Sequence, residues 1–183
     1  MRNLVNRVKI KLPKEILDHC RDFAEAVFES CSEKYEQRGQ IERPLIIQQI
    51  TEGKFAEWAV SYYYNNNDID CSDPDHTIYT KRKKSFDADL NRGKYRIHVK
   101  GQNKESVERY GMSWLFQLED PLFTKAKLND IVVFCVVDLK KRQVEIVYKN
   151  QFKKLFFEPP KLTKFLGIKL AVYLDNQESC PCL

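Results

Sequence analysis

Residues 95–102 read YRIHVKGQ, and every second side chain is a group that can do chemistry. In an extended chain Arg96, His98, Lys100 and Gln102 point one way, and Tyr95, Ile97 and Val99 the other. Just upstream, FDADL sets Asp87 and Asp89 against Phe86, Ala88 and Leu90. A turn at NRGK folds the two runs into a hairpin whose cross-strand neighbours share a face. A two-residue loop puts Asp89 opposite Lys94 and Asp87 opposite Arg96; a four-residue loop puts Asp89 opposite Arg96 and Asp87 opposite His98. Either register gathers two carboxylates, an imidazole and an ammonium. Phosphodiester hydrolysis uses such a set. A hard cation neutralises the phosphate and acidifies the attacking water. Carboxylate oxygens suit magnesium or manganese, and a lysine beside the ion orients the water or stabilises developing charge. The same spacing also describes a hairpin with a solvated polar face laced by ion pairs.

The run DADL…YRIHVKGQ resembles the core of the PD-(D/E)XK nuclease superfamily, whose fold is also called restriction-endonuclease-like. The resemblance matches Asp89 to the family's aspartate, His98 to its acidic position and Lys100 to its lysine. It matches Glu57, within GKFAEWAV, to a glutamate on a preceding helix, and Gln102 to a polar residue beyond the lysine. SWLFQ and DIVVFCVVDLKKRQVEIV resemble the apolar strands that follow the hairpin, so the likeness covers about residues 50–148. It implies a metal-dependent endonuclease acting on DNA and leaving 5′-phosphates. Glu57 and Asp89 would hold magnesium or manganese together with the Val99 carbonyl and water. Lys100 would position the nucleophile, and Gln102 would orient a neighbour. The chain departs from the pattern at His98, because imidazole ligates manganese but is a poor donor to magnesium. His98 is therefore a third ligand or a proton carrier, or the fold is an inactive one that binds nucleic acid or a protein partner. Asp87 is the second choice for the aspartate, and Asp75, in a literal PD pair, the third.

Other charged and aromatic stretches admit a functional reading beside a structural one. Lys81, Arg82, Lys83 and Lys84 precede the hairpin and could hold phosphates or form a solvated cluster. DIDCSDPD has four aspartates but lacks the central glycine and closing glutamate of a calcium loop, so it reads as an acidic turn. Tyr62, Tyr63 and Tyr64 could stack on bases, although packing explains them as well. His19 reads as structural, and His76 could touch a metal.

These side chains need a scaffold. Ile16, Leu17, Cys20, Phe23, Ala24, Val27, Phe28 and Cys31 recur at helical spacing, predicting a helix over 14–38 with Pro13 at its start and Gly39 at its stop. A second helix is expected through residues 48–65, with Gly53 either within it or at its start, followed by a turn-rich loop at 65–75. Strands are expected at 86–90, 95–99 and 113–118. The continuously apolar 130–139 predicts a central strand covered on both faces, with 143–148 as its hairpin partner. NQFKKLFF predicts a short helix stopped by Pro159, and IKLAVYL a last edge strand.

The whole predicts an α/β fold, a mixed sheet flanked by helices, in one domain over 1–183. Its parts are an N-terminal helical part to residue 50, a nuclease-like core over 51–148 and a C-terminal extension. A hydrophobic fraction of 43% and an aromatic fraction of 12% exclude disorder. A net charge of +5 suits nucleic acid without proving it. No apolar run approaches a membrane span and MRNLVNRVKIKLPKE has no signal-like apolar core, so a soluble intracellular protein without a membrane partner is expected. Cys20, Cys31 and Cys135 sit in apolar patterns and read as buried thiols. CPCL formally fits a prenylation pattern, but Pro181 and Cys182 suit its aliphatic positions poorly. Whether two chains pair as a homodimer to cut both strands is left open.

Overall fold

The computed structural model describes residues 7–36, 42–78 and 88–177. Gly39, the Lys81–Lys84 cluster, Asp87 and the CPCL tail lie outside the described residues. The elements are β1 (Val8–Lys11), α1 (Lys14–Glu36), α2 (Arg43–Asn65), β2 (Leu90–Arg92), β3 (Tyr95–Asn103), α3 (Lys104–Tyr110), β4 (Ser113–Gln117), α4 (Leu122–Lys125), β5 (Asp130–Asp138), β6 (Gln143–Gln151) and β7 (Lys169–Tyr173). They form an α/β domain with a mixed five-stranded sheet in the order β1-β6-β5-β3-β2 and a separate two-stranded sheet of β4 and β7.

Strand β5 is central, as its apolar run predicts, and is buried almost throughout. Ile131, Val133, Cys135 and Val137 face the helix layer, where Leu17, Cys20, Phe55, Ala56 and Val60 close one core. Val132, Phe134 and Val136 face the other way, against Trp114, Phe116, Phe152 and Val172. Two faces buried on two sides explain why β5 shows no polar alternation. Helix α2 begins earlier than expected, with Pro44 in its first turn, and runs through Gly53 instead of starting there. Burial on nearly every side of its middle outweighs the cost of one glycine. Gly101 lets α2 approach β3: a Cβ there would stand 3.4 Å from the Ala56 Cβ and from a Val137 methyl. Gly101→Val is expected to cost about 1–3 kcal/mol by overpacking, read as a lower denaturant midpoint.

Four expectations need correction. IKLAVYL is not an edge of the main sheet; β7 pairs antiparallel with β4, Phe116 standing opposite Leu170. NQFKKLFF is not a helix: Asn150 and Gln151 end β6, a single 3-10 turn follows at Phe152–Lys154, and residues 155–157 are irregular. The hairpin turn lies two residues later than the expected two-residue loop, and the first strand runs over Leu90–Arg92 instead of 86–90. Gly93, at φ 53°, and Lys94 make the turn, and the ladder already pairs Arg92 with Tyr95 and Leu90 with Ile97. Extended by one residue, that register sets Asp89 opposite His98, not opposite Arg96 or Lys94. Finally, β1 has no counterpart in the sequence reading; its four residues pair antiparallel with β6 at the sheet edge.

Candidate active site

The polar side of β3 is partly covered: His98 is buried, while Arg96, Lys100 and Gln102 keep some exposure. His98, Lys100 and Gln102 project toward the β4–β7 layer, because Ile97, between them and their neighbours, belongs to the helix-side core. His98 is 5% exposed. The alternation thus separates a face on the helix-side core from a polar face that a second layer covers in part.

Asp89 and Lys100 are brought to the same stretch of sheet edge. Strand β2 starts at Leu90, and beyond it one carboxylate oxygen of Asp89 accepts the Val99 N–H at 2.8 Å, extending the ladder by a side chain. Arg96 N–H donates to Asn129 O, toward β5, so the even residues of β3 turn their backbone to β5 and the odd ones to the β2 side. The Val99 carbonyl therefore leaves the strand on the side where the Asp89 carboxylate sits. Lys100 extends its ammonium across the Phe116 ring, 4.6 Å from the centroid, to Asp120 at 3.6 Å. Its side chain keeps 30% exposure, enough to meet a ligand from solvent.

The other expected site residues are engaged elsewhere. Glu57 belongs to the helix layer, where its carboxylate accepts from Lys54 Nζ at 2.6 Å. Lys54 also donates to the Asp75 carbonyl at 2.7 Å and lies over the Phe23 ring. Glu57 thus neighbours the literal PD pair, not the Lys100 ammonium, which lies on the opposite face of the sheet. His98 places Nε2 3.0 Å from Asp130 Oδ1. Gln102 fastens two elements: its amide donates to Gly111 O, and its carbonyl accepts the Ser113 N–H, both at 3.0 Å. It fixes where β4 enters. Among the described residues no three Asp, Glu, His or Cys side chains gather as a metal cage would require.

Asp120 and Asp130 were missed in the sequence. Asp130 is fully buried where β5 begins, in register with Arg96. Burial pushes its carboxyl up, but the Lys127 N–H, His98 and the Arg96 guanidinium at 3.1 Å together pull it below the ordinary carboxylate range. The readable signal was an acid opening an otherwise apolar run. Asp120 precedes Pro121 and caps α4 by accepting the Leu122 N–H at 3.0 Å while its other oxygen meets Lys100. Asp120→Asn keeps the cap but removes the charge that steadies Lys100. A several-fold loss of kcat, with melting within a few degrees of the parent, is the expected outcome for any activity using that ammonium.

The aromatic and histidine readings resolve differently. Tyr64 is buried beneath Arg92, Tyr63 packs on the helix-side core and Tyr62 is exposed. His76 receives the Trp58 indole N–H on Nε2 at 3.0 Å and stacks on His19 at 4.3 Å. Burial, with His19 and Lys54 adding to it, lowers its pKa to about 4. The folded state therefore binds this proton less readily than the unfolded state. Stability contributed here is full above the ordinary histidine value and is lost as pH falls toward 4. His76→Gln is expected to flatten the melting temperature against pH across that window. Cys20, Cys71 and Cys135 are buried free thiols; burial raises Cys20 to about 12 and Cys71 to about 11.

A second concavity of about 260 Å³ lies where β3 and β5 end, lined by Glu52, Asn103 and Lys104 among others. Charges around it already pair internally, Lys104 with Asp138 at 3.5 Å and Lys140 with Glu105 at 2.6 Å. The Asp89–Lys100 edge is the stronger candidate. No family model matches this chain, and neither a curated protein nor a solved structure is detectably similar to it.

Proposed function

We propose that the chain is a metal-assisted nuclease of the PD-(D/E)XK type, on a restriction-endonuclease-like fold, hydrolysing DNA phosphodiester bonds. One observation carries this reading: Asp89 is locked onto the Val99 amide at an edge of the sheet where the next residue is a partly exposed lysine. The donors available suit magnesium. That ion is commonly held by one or two carboxylates, with water and substrate phosphate completing its shell, and Asp89 with the Val99 carbonyl supplies oxygens of that kind. His98 and Glu57 do not join this set in the geometry described. When bound, the cation would supply charge neutralisation and a more acidic water.

The chain's own groups do the rest. Asp89 is immobilised by a backbone N–H, so its free oxygen is directed without loss of further side-chain freedom. Lys100, held between the Phe116 face and Asp120, offers a donor to the attacking water or to the non-bridging oxygens as charge develops. Purified protein incubated with plasmid and single-stranded DNA is expected to cleave in magnesium or manganese and not in chelator. Cleavage unaffected by chelator would remove the cation from the reaction.

A second reading has its own support. His98, in the acidic slot, is tied to Asp130, and Glu57 to Lys54, which fits a nuclease fold retained for binding alone. Binding of DNA without cleavage in either metal would favour it.

A further inference from the structure

Strand β2 ends the five-stranded sheet and is three residues long, so its outer side is an edge whose backbone groups need partners. Leu90 and Arg92 stand opposite Ile97 and Tyr95, with Asn91 opposite Arg96 between them. Arg96 gives its N–H to Asn129, toward β5. Its antiparallel neighbour Asn91 therefore turns its own N–H and carbonyl away from β3.

Ser72, in the loop after α2, takes both groups. Its N–H donates to the Asn91 carbonyl at 2.9 Å, and its Oγ accepts the Asn91 N–H at 2.9 Å. One residue thus does the work of a further strand, with a hydroxyl where a strand would offer a carbonyl. Ser72 is itself held. Its carbonyl accepts from Oγ of buried Ser61 at 2.9 Å. Its neighbour Cys71 exchanges two hydrogen bonds with the Asn65 side chain, at 3.0 and 3.1 Å. Farther along the loop, Lys54 donates to the Asp75 carbonyl and Trp58 to His76. All four of these anchors, Lys54, Trp58, Ser61 and Asn65, lie on α2. The loop is a strap that ties the outer edge of β2 to the helix layer, while the ladder with β3 ties its inner edge to the sheet.

Asp89 lies two residues before Asn91, in a bend ahead of the strand, and its backbone has no place in the ladder. Its carboxylate reaches the Val99 N–H from there. Where that carboxylate stands is inherited from where β2 is held. We infer that Ser72 is a positioning residue for Asp89: by clamping Asn91 to α2 it fixes the spacing between the Asp89 carboxylate and the Val99 carbonyl. This deepens the nuclease reading and rests on it for the role of the cation.

The test is manganese binding to the full chain with a short DNA duplex, followed by electron paramagnetic resonance, with single-turnover cleavage and a melting curve beside it. Asp89→Asn should abolish the bound signal, which places the ion. Ser72→Ala keeps the N–H to the Asn91 carbonyl and removes only the acceptor for the Asn91 N–H. Ser72 is exposed, so this variant should fold and melt within a few degrees of the parent. It is expected to bind manganese more weakly by a few-fold, up to about ten-fold, the ceiling being the net worth of one hydrogen bond. Cleavage should need correspondingly more manganese. Ser72→Thr keeps the oxygen and should restore both. A parent that binds manganese through Asp89 and cleaves, beside an alanine variant with unchanged affinity and rate, would overturn the inference and leave the nuclease reading standing. So would a lower melting temperature with unchanged manganese affinity, or a threonine variant that fails to rescue. A parent that neither binds manganese nor cleaves DNA would end both.

Discussion

Lys100→Ala is expected to lower cation-dependent DNA cleavage by about 10²–10³-fold or more, the range seen when one preorganised donor to developing charge is removed. The loss should fall on kcat. The ammonium lies over Phe116, beside Asp120, and is only 30% exposed, so its position before reaction is close to its position during it. Little stability should go with it. The Lys100–Asp120 pair is partly solvated, and pairs of that kind contribute about 0–1 kcal/mol. For a chain of this size, 1 kcal/mol moves the melting temperature by about 2–4 °C. Single-turnover cleavage beside a melting curve checks both halves. Cleavage near the parental rate would take the lysine out of the chemistry.

Asp130→Ala should have the largest effect on folding. The carboxylate is fully buried and collects three partners: Arg96 at 3.1 Å, His98 at 3.0 Å and the Lys127 N–H. Removing it takes the carboxylate away from a guanidinium with little access to water, from buried His98 and from the Lys127 N–H. A broken buried pair costs about 3–5 kcal/mol, or roughly 10 °C in melting temperature. Asp130→Asn keeps the volume and should lose less. The pH dependence has a definite sign. Because the carboxyl is held below its ordinary range when folded, its stabilisation is complete above the unfolded value. It is lost as pH falls through the folded one. Chemical unfolding of parent and variant between neutral and acid pH measures this; parallel curves would deny Asp130 the role.

Much of the scaffold could be read because its causes are local. The stripe of Leu17, Cys20 and Ala24 made α1, and the unbroken apolar run from Ile131 to Val137 made a strand covered on both faces. Gly93 marked the turn between β2 and β3, although its exact length depended on a backbone angle that composition does not reveal. What stayed hidden was non-local. Alternation in β3 has the same appearance whether its polar side meets water or a second layer, and the pairing of β4 with β7 across more than 50 intervening residues decides which. The same limit explains Asp130. Its importance comes from lying beside Arg96 across a parallel ladder, a neighbour fixed by topology and not by spacing. Of the residues matched by family resemblance, Asp89 and Lys100 share a sheet edge because both belong to one hairpin. Glu57 depends on how α2 is rotated over the sheet; Ala56 is the residue that meets Gly101, and Glu57 stays in the helix layer, paired with Lys54 one turn earlier on its own helix.

The most direct measurement is anomalous diffraction from crystals of the full chain grown with a short DNA duplex and soaked in manganese. The account predicts an anomalous peak between the Asp89 carboxylate and the Val99 carbonyl, with the Lys100 ammonium within reach of the same phosphate. A peak at Glu57 or in the cavity beside Glu52, with the Asp89 edge empty and its carboxylate still on the Val99 amide, would contradict it.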